Sequence, residues 1–173
     1  MIKIGLLSDT HGYIDPKIYT YFEQVDEIWH AGDWGVYEET FVKLKAFKPI
    51  VRGVYGNIDG RQIRAEFPEK NIYTVEGLKV AMIHIGGYPG RYAMDVKKWL
   101  EVVKPDLFIS GHSHILKVIR DPRLQLLHMN PGAAGNVGFH HVRTAIRFSI
   151  DAGKIIQPEV IELGPRSLMQ PDE

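Results

Sequence analysis

The chain has 173 residues, of which 45% are hydrophobic, and this is enough to build the core of one compact domain. Lysine plus arginine and aspartate plus glutamate balance at 21 each, which argues against a broad basic surface for nucleic acid. Cysteine is absent, so disulfides and thiolate metal sites are excluded. No stretch approaches the roughly 20 apolar residues of a membrane span, and the N-terminal apolar run is too short for a signal peptide. We therefore expect a cytoplasmic protein without membrane contact.

The first third of the chain predicts alternating strands and helices. Apolar runs predict strands near residues 2–7, 25–31 and 50–55. Asp15-Pro16 is typical of a helix start, and a second amphipathic stretch over residues 36–47 ends before a proline. Because helices separate the strands, we expect parallel pairing by right-handed crossovers.

The remainder of the chain changes to predominantly antiparallel patterns. It predicts a strand pair joined at Gly77-Leu78, a helix over residues 91–104 and a buried strand over 107–109. Short strands and turns follow, and they are expected over residues 115–120, 124–129, 143–150 and 155–163. Two packed mixed sheets with helices outside would bury both sets. We expect one domain over residues 1–163 and a C-terminal tail over 164–173.

Ligand-type side chains recur at the ends of the predicted strands. Their order along the chain is Asp9-x-His11, Gly32-Asp33, Gly56-Asn57, His84 and Gly111-His112-Ser113-His114. In open α/β sheets the carboxyl ends of strands are the edge at which ligands bind. In an extended chain, side chains two positions apart also point the same way. Asp9 and His11 are therefore expected to reach one common point.

Each of these residues also has an ordinary structural interpretation. Asp33 is typical of a turn or a helix cap, Gly56-Asn57 is a common turn pair, and His84 suits a satisfied core histidine. Together, however, their nitrogen and oxygen donors favour Mn, Fe, Zn, Ni or Co over Ca or Mg alone. Seven ligands are too many for one ion, whereas two ions that share a bridging carboxylate would use them all.

The ordered series Asp-x-His, Gly-Asp, Gly-Asn-x-Asp, His and Gly-His-x-His resembles the calcineurin-like metallophosphoesterase family. It extends over residues 9–114. The compact chain, without an inserted cap, is similar to the small prokaryotic phosphodiesterases of that family. The resemblance implies an α/β (α+β) fold, a four-layer sandwich of two mixed β-sheets flanked by helices.

The resemblance also implies the ligand roles. Asp9, His11 and His114 would hold one divalent transition-metal ion. Asn57, His84 and His112 would hold the other, and Asp33 would bridge the two. Manganese is the expected metal, with iron, nickel, cobalt or zinc as alternatives. Asp33 and Asn57 are the expected catalytic residues.

A dinuclear site suggests a mechanism for a small phosphate ester. Two cations about 3.5–4 Å apart offset the charge of the phosphate and lower the pKa of a bridging water. The hypothesis is that metal-bridging hydroxide attacks phosphorus directly, without a covalent enzyme intermediate. The expected substrate is a small phosphodiester.

One position departs from the family pattern. Members often carry a histidine after the asparagine, and that histidine can protonate the leaving group, but this chain has Ile58. General-acid help is typically worth 10²–10⁴-fold, so a preference for good leaving groups such as aryl esters is expected. His140 and His141 are candidate replacement acids, although exposed loop residues are the simpler interpretation.

Three further features lie near the expected site. Asp59 is predicted to orient a metal-ligand imidazole or its loop, with a plain turn residue as the alternative. Arg91 could bind a phosphate oxygen together with Asn57, or could be a solvated residue at a helix start. The loop over residues 130–135 resembles the Asn-Pro-Gly turn of the family and lacks the Lys-Ser/Thr ending of a P-loop.

Two other functions are compatible with the same fold. One is a catalytically weak or inactive protein-interaction scaffold, as in the retromer subunit that resembles these enzymes. A scaffold has no need of the ligand set, yet every ligand position is filled. The other is a nuclease, against which the zero net charge argues. A homo-oligomer is compatible with either.

Overall fold

The computed structural model describes residues 1–167. In that part of the chain the strands are β1 (Ile2–Leu7), β2 (Glu27–His30), β3 (Ile50–Gly53), β4 (Lys70–Val75), β5 (Leu78–Ile83), β6 (Leu107–Ile109), β7 (Leu116–Asp121), β8 (Leu126–Pro131), β9 (Val142–Asp151) and β10 (Lys154–Pro165). The α-helices are α1 (Pro16–Tyr21), α2 (Lys43–Phe47), α3 (Arg61–Glu66) and α4 (Met94–Val103), and a π-helical segment, Glu38–Val42, leads into α2. None of these helices has both the length and the apolar character needed to cross a membrane.

The strands form two five-stranded mixed sheets, as predicted. The first has the order β10-β9-β1-β2-β3, with β1, β2 and β3 parallel and β9 and β10 antiparallel. The second has the order β4-β5-β6-β8-β7, with β5, β6 and β8 parallel and an antiparallel strand at each edge. The parallel strands are neighbours in both sheets, at one side of the first sheet and in the middle of the second, so their carboxyl ends lie at the same edge of each sheet.

The core explains the four-layer arrangement. One buried cluster combines side chains from both sheets, including Leu6 and Phe148 of the first and Met82 and Ile109 of the second. A second cluster packs α1, α2 and α3 on the outer face of the first sheet, and a third packs α4 on the outer face of the second. The order of layers is therefore helices, sheet, sheet, helix, and this confirms the predicted fold class.

Several local predictions are confirmed by specific contacts. Asp15 caps α1, because its Oδ1 accepts the N–H of Lys17 at 2.8 Å, and Pro16 is the first helical residue. The helix predicted over residues 36–47 is present as the π-helical segment followed by α2. The strand predicted over 107–109 has these bounds in the structure.

Other local features differ from the predictions or were not predicted. The turn between β4 and β5 is formed by Glu76-Gly77, both at positive φ, whereas Leu78 is buried and begins β5. Helix α3 was not predicted, because Ile63 is its only buried residue and the segment has no apolar stripe. Strand β10 continues to Pro165, two residues into the predicted tail, and residues 168–173 of that tail lie outside the described chain.

Candidate metal centre

The predicted ligands all follow the carboxyl ends of parallel strands of the two sheets. Asp9 and His11 follow β1, Asp33 follows β2, and Asn57 follows β3. The second sheet contributes His84 directly after β5, and His112 and His114 after β6. The two sheets pack face to face, so both sets of loops meet at one end of the sandwich.

The six predicted ligands that are aspartate or histidine come together there in two groups. Within each group the ligand atoms lie within 4.8 Å of one another. The first group is Asp9, His11 and His114, and the second is Asp33, His84 and His112. This division corresponds to the two ligand sets that the family resemblance implies, with Asp33 counted in the second.

Asp33 lies between the two groups. Its Oδ2 is 3.5 Å from Nε2 of His11 in the first group and 3.2 Å from Nε2 of His84 in the second. Asp9 Oδ1 is 3.2 Å from His114 Nε2 and 3.8 Å from His84 Nε2. The carboxylate of Asp33 therefore lies within 3.5 Å of an imidazole nitrogen of each group.

Three polar atoms at this centre are buried without a hydrogen-bond partner. They are Asp9 Oδ1, His11 Nε2 and His84 Nε2. A buried polar atom that lacks a partner typically costs about 1–3 kcal/mol, so three in one place indicate a site that binds a ligand. A cation that accepts carboxylate oxygen and imidazole nitrogen fits this donor set.

Hydrogen bonds fix the other oxygen of each carboxylate. Asp9 Oδ2 accepts from the hydroxyl of Ser8 at 2.7 Å and from the N–H of His112 at 3.1 Å. Asp33 Oδ1 accepts from the N–H of Ile58 at 3.1 Å. The remaining oxygens, Oδ1 of Asp9 and Oδ2 of Asp33, are thereby directed towards the histidines.

The tautomer of His84 is set by its neighbour. Its Nδ1 lies 2.7 Å from the carbonyl oxygen of Ala31, which can only accept, so Nδ1 carries the proton. The Nε2 lone pair then faces Asp33. Burial opposes charge on His84, but Asp33 and Asp9 outweigh it and raise the pKa of His84. At Asp33, burial is likewise outweighed by His84 and the Ile58 N–H, and the pKa of that carboxyl is lowered.

His114 is oriented through a second histidine. Nε2 of His140 lies 2.8 Å from the carbonyl oxygen of Gly135 and must donate to it. Nδ1 of His140 is then an acceptor for Nδ1–H of His114, at 3.2 Å. Both nitrogens of His140 are engaged, which argues against the predicted role of a free general acid. His141 is exposed.

The backbone of the ligand residues differs from the predicted one. Asp9 and His11 are not in an extended chain, because β1 ends at Leu7 and both have left-handed φ values, 53° and 48°. Asp33, His112 and His114 share this conformation, with φ values of 55°, 66° and 60°. It is uncommon outside glycine, although aspartate and histidine adopt it more readily than most residues. Tight left-handed turns, and not strand alternation, therefore aim these side chains.

Asn57 and Asp59 lie on the loop beside Asp33. Asn57 is exposed and precedes Ile58, whose N–H holds Asp33. Asp59 accepts the N–H of Gly35 at 3.0 Å and that of Gly56 at 2.7 Å. It thus joins the loops after β2 and β3, and within residues 1–167 its carboxylate is hydrogen bonded to backbone N–H groups and to no imidazole. Burial raises the pKa of Asp59, and these N–H donors oppose the shift.

Arg91 makes no contact that supports the predicted phosphate-binding role among the residues that the structure describes. Its side chain is exposed, and it is absent from the wall of the cavity that adjoins His112. Lys117 of β7 lines that cavity instead. The sequence did not single out Lys117, because nothing in its strand pattern shows that its side chain faces this cavity.

Sequence reasoning also missed the polar residues behind the centre. His30 Nδ1 accepts the N–H of Gly32 at 3.1 Å, and His30 Nε2 lies 2.9 Å from the hydroxyl of Thr10. That hydroxyl donates to the carbonyl oxygen of Trp34. Burial and the nearby His84 lower the pKa of His30, despite the opposing charge of Asp33. These contacts tie together the loops that carry Asp9 and Asp33.

Comparison with known proteins identifies the family. The calcineurin-like phosphoesterase superfamily domain matches residues 2–153. The chain belongs to this superfamily. A probable metallophosphoesterase of Methanothermobacter thermautotrophicus is 30% identical over 135 residues, which cover 75% of this chain and 76% of the relative. Membership supports a phosphoesterase hydrolase that uses divalent metals.

Solved structures share the fold of this superfamily member. Vps29 from Entamoeba histolytica, complexed with zinc, has a TM-score of 0.71 and 16% identity, and the match covers 93% of this chain and 100% of that one. An archaeal phosphodiesterase has a TM-score of 0.71 and 20% identity, and the match covers 92% of this chain and 100% of that one. At these identities the likeness concerns the fold alone.

Proposed function

We propose that this chain is a dinuclear metal-dependent phosphodiesterase that hydrolyses small phosphodiesters. The observation that carries the proposal is the position of Asp33 Oδ2, within 3.5 Å of imidazole nitrogens from both ligand groups. The unpartnered atoms around it support two cations at this place. The solved archaeal phosphodiesterase of the same fold is compatible with the proposal.

Each residue then has a defined task. Asp9, His11 and His114 would hold one cation, His84, His112 and Asn57 would hold the other, and Asp33 would be shared. The donor set contains nitrogen and oxygen and no sulfur, which favours manganese, with iron, cobalt, nickel and zinc as alternatives. Bound there, the cations supply Lewis acidity that offsets the phosphate charge and lowers the pKa of a water.

The protein side chains position the ester for in-line hydrolysis. The oxygen of a water bonds to phosphorus while the phosphorus–oxygen bond to the leaving group breaks, and no side chain becomes bonded to phosphorus. The protons of that water end on the leaving oxygen and in solvent. Asn57 is exposed at the edge of the centre, where its amide can contact the phosphate as well as a cation.

The leaving group receives little help from the protein. Ile58 is 46% exposed beside Asp33 and has no proton to donate. Both ring nitrogens of His140 are already hydrogen bonded. We therefore propose a preference for esters whose leaving group departs without protonation, such as aryl diesters.

A metal-dependent assay tests this function. Protein stripped with EDTA is reconstituted with Mn, Ni, Co, Fe, Zn or Mg and supplied with matched aryl phosphomonoesters and phosphodiesters. We expect turnover that requires a transition metal and favours the diesters. A protein that takes up no metal and turns over no ester, but binds a protein partner, would instead support the scaffold function.

A further inference from the structure

A cavity of about 220 Å³ adjoins the proposed metal centre on the side of the second sheet. Its wall is formed by the loop after β5, the loop after β6 and the start of β7. His112 belongs both to this wall and to the second ligand group. A phosphate held at the centre would therefore have one ester group next to the cavity. The volume is below the roughly 300–1,000 Å³ of sites for drug-sized ligands, so it suits a single ring.

The mouth of the cavity is apolar. Ile85 is 47% exposed and Ile115 is 62% exposed, and both line it together with Tyr88. Ile85 directly follows His84, and Ile115 directly follows His114. An organic ring placed on them would remove apolar surface from water.

Lys117 supplies a positive charge to the same wall. Its Nζ lies 3.5 Å from the centroid of the Tyr88 ring, in a cation–π contact. Among residues 1–167 no carboxylate forms an ion pair with it, and it is the only lysine or arginine that lines the cavity. The N–H donors of the half-buried Lys117 are therefore available to bind an anion in the cavity.

A hydrogen bond from Ser110 holds the loop that carries Tyr88. Ser110 Oγ donates to the carbonyl oxygen of Gly87 at 3.1 Å and lies 2.9 Å from Nε2 of His128. His128 is buried and lines the cavity floor. Burial, followed by the charge of Lys117, lowers the pKa of His128 to about 4, so this floor is uncharged near neutral pH.

We propose that this cavity binds one of the two ester groups of the substrate. That ester group is a ring that carries an anionic group in addition to the phosphodiester. The ring contacts Ile85, Ile115 and Tyr88, and the anion binds the ammonium of Lys117. The inference rests on the proposed phosphodiesterase function and names the substrate class: phosphodiesters with an additional carboxylate or phosphate, such as nucleotide-like esters, over neutral aryl or alkyl diesters.

Matched substrates test the inference. The 4-nitrophenyl phosphodiesters of phenol, 3-hydroxybenzoate and 3-hydroxyphenylphosphonate differ only in the added anion. We expect kcat/KM to be at least tenfold higher for an anionic ester than for the phenyl ester, and the two anionic arms distinguish carboxylate from phosphonate. Lys117→Met keeps the aliphatic stem and is expected to reduce this ratio to near one. Lys98→Met, an exposed residue of α4, should retain it.

A binding measurement separates this inference from the proposed function. Methyl NMR signals of Ile85 and Ile115 are followed in the metal-free protein during titration with benzoate or with benzyl alcohol. We expect benzoate to shift both signals, with at least fivefold weaker binding in Lys117→Met. Binding of benzoate without ester turnover would support the cavity and contradict the phosphodiesterase. If the ester is turned over but the ratio of kcat/KM between anionic and phenyl esters is the same in wild type and Lys117→Met, the cavity assignment is overturned. The proposed phosphodiesterase function would then still stand.

Discussion

Nδ1 of His114 lies 3.2 Å from Nδ1 of His140, whose other nitrogen is held by the carbonyl oxygen of Gly135. This relationship fixes the proton on Nδ1 of His114 and leaves its Nε2 free, 3.2 Å from Asp9 Oδ1. His140 is thereby a positioning residue for a metal ligand, since hydrogen-bonded partners of ligating histidines set the tautomer and ring orientation.

Replacement of His140 tests this role. We expect His140→Ala to weaken metal binding about 10–100-fold, the usual effect of removing such a partner. The measurement is competition with a chelator of known affinity, which requires no turnover. His141→Ala is the matched control, because His141 is exposed and contributes only its backbone oxygen, to Arg166. Equal affinity in the two variants would contradict the role.

Gly56 is required by the close approach of its loop to Asp33. A Cβ at Gly56 would collide with the side chain and backbone nitrogen of Asp33, whereas a Cβ at Gly60 would meet nothing within 4 Å. We expect Gly56→Ala to lower the free energy of unfolding by about 1–3 kcal/mol and to reduce metal binding. Gly60→Ala should change the unfolding energy by less than about 0.5 kcal/mol. Urea denaturation of both variants checks this, and equal stabilities would be inconsistent with the packing described.

Ile58 is the position at which a proton donor can be added. We expect Ile58→His to accelerate hydrolysis of alkyl diesters more than that of aryl diesters, because alkoxides need protonation as they leave. The ratio of aryl to alkyl rates should fall by about tenfold or more. Ile58→Gln, which is polar but a poor acid, is the control. If both variants change the ratio equally, proton donation is not the cause.

His128 makes the fold sensitive to acid. Its pKa is about 4 in the folded chain against 6.5 for an ordinary histidine. Between these values the unfolded chain binds a proton that the folded chain does not, so stability is lost as the pH falls from 6.5 to 4. The loss approaches about 3 kcal/mol.

His128→Gln, which keeps a polar group near Ser110, should remove this part of the pH dependence. Urea unfolding of the metal-free protein at pH 7 and pH 4.5 measures it. His141→Gln is the control and should keep the wild-type difference between the two pH values. The same difference in His128→Gln would show that another group is responsible.

The strands and the ligand series could be predicted because their signals are local. Apolar runs such as residues 107–109 form buried strands. Each ligand comes shortly after such a run, as Asp33 does after the run over residues 25–31. Two mixed sheets could be predicted because the first third of the chain alternates strands with helices, whereas the remainder has short antiparallel strand patterns. The division into two ligand groups came only from the resemblance to the metallophosphoesterase family.

Contacts that depend on distant loops could not be predicted. His114 and His140 are 26 positions apart, and Lys117 and Tyr88 are 29 apart, with no sequence pattern that links either pair. Asp9 and His11 do belong to one ligand group, as predicted from strand alternation. The reason for the prediction was wrong, because both residues lie in left-handed turns and not in an extended strand. Helix α3 escaped detection because tertiary packing of Ile63, and not an apolar stripe, stabilises it.

The stoichiometry and magnetic coupling of bound manganese test the shared carboxylate most directly. We predict two Mn²⁺ per chain with the exchange-coupled electron paramagnetic resonance spectrum of a bridged pair. Asp33→Asn should lose that coupling together with at least one ion, whereas Asp95→Asn, an exposed residue of α4, should keep both. A single ion per chain in the wild type, or an unchanged coupled pair in Asp33→Asn, would contradict the account.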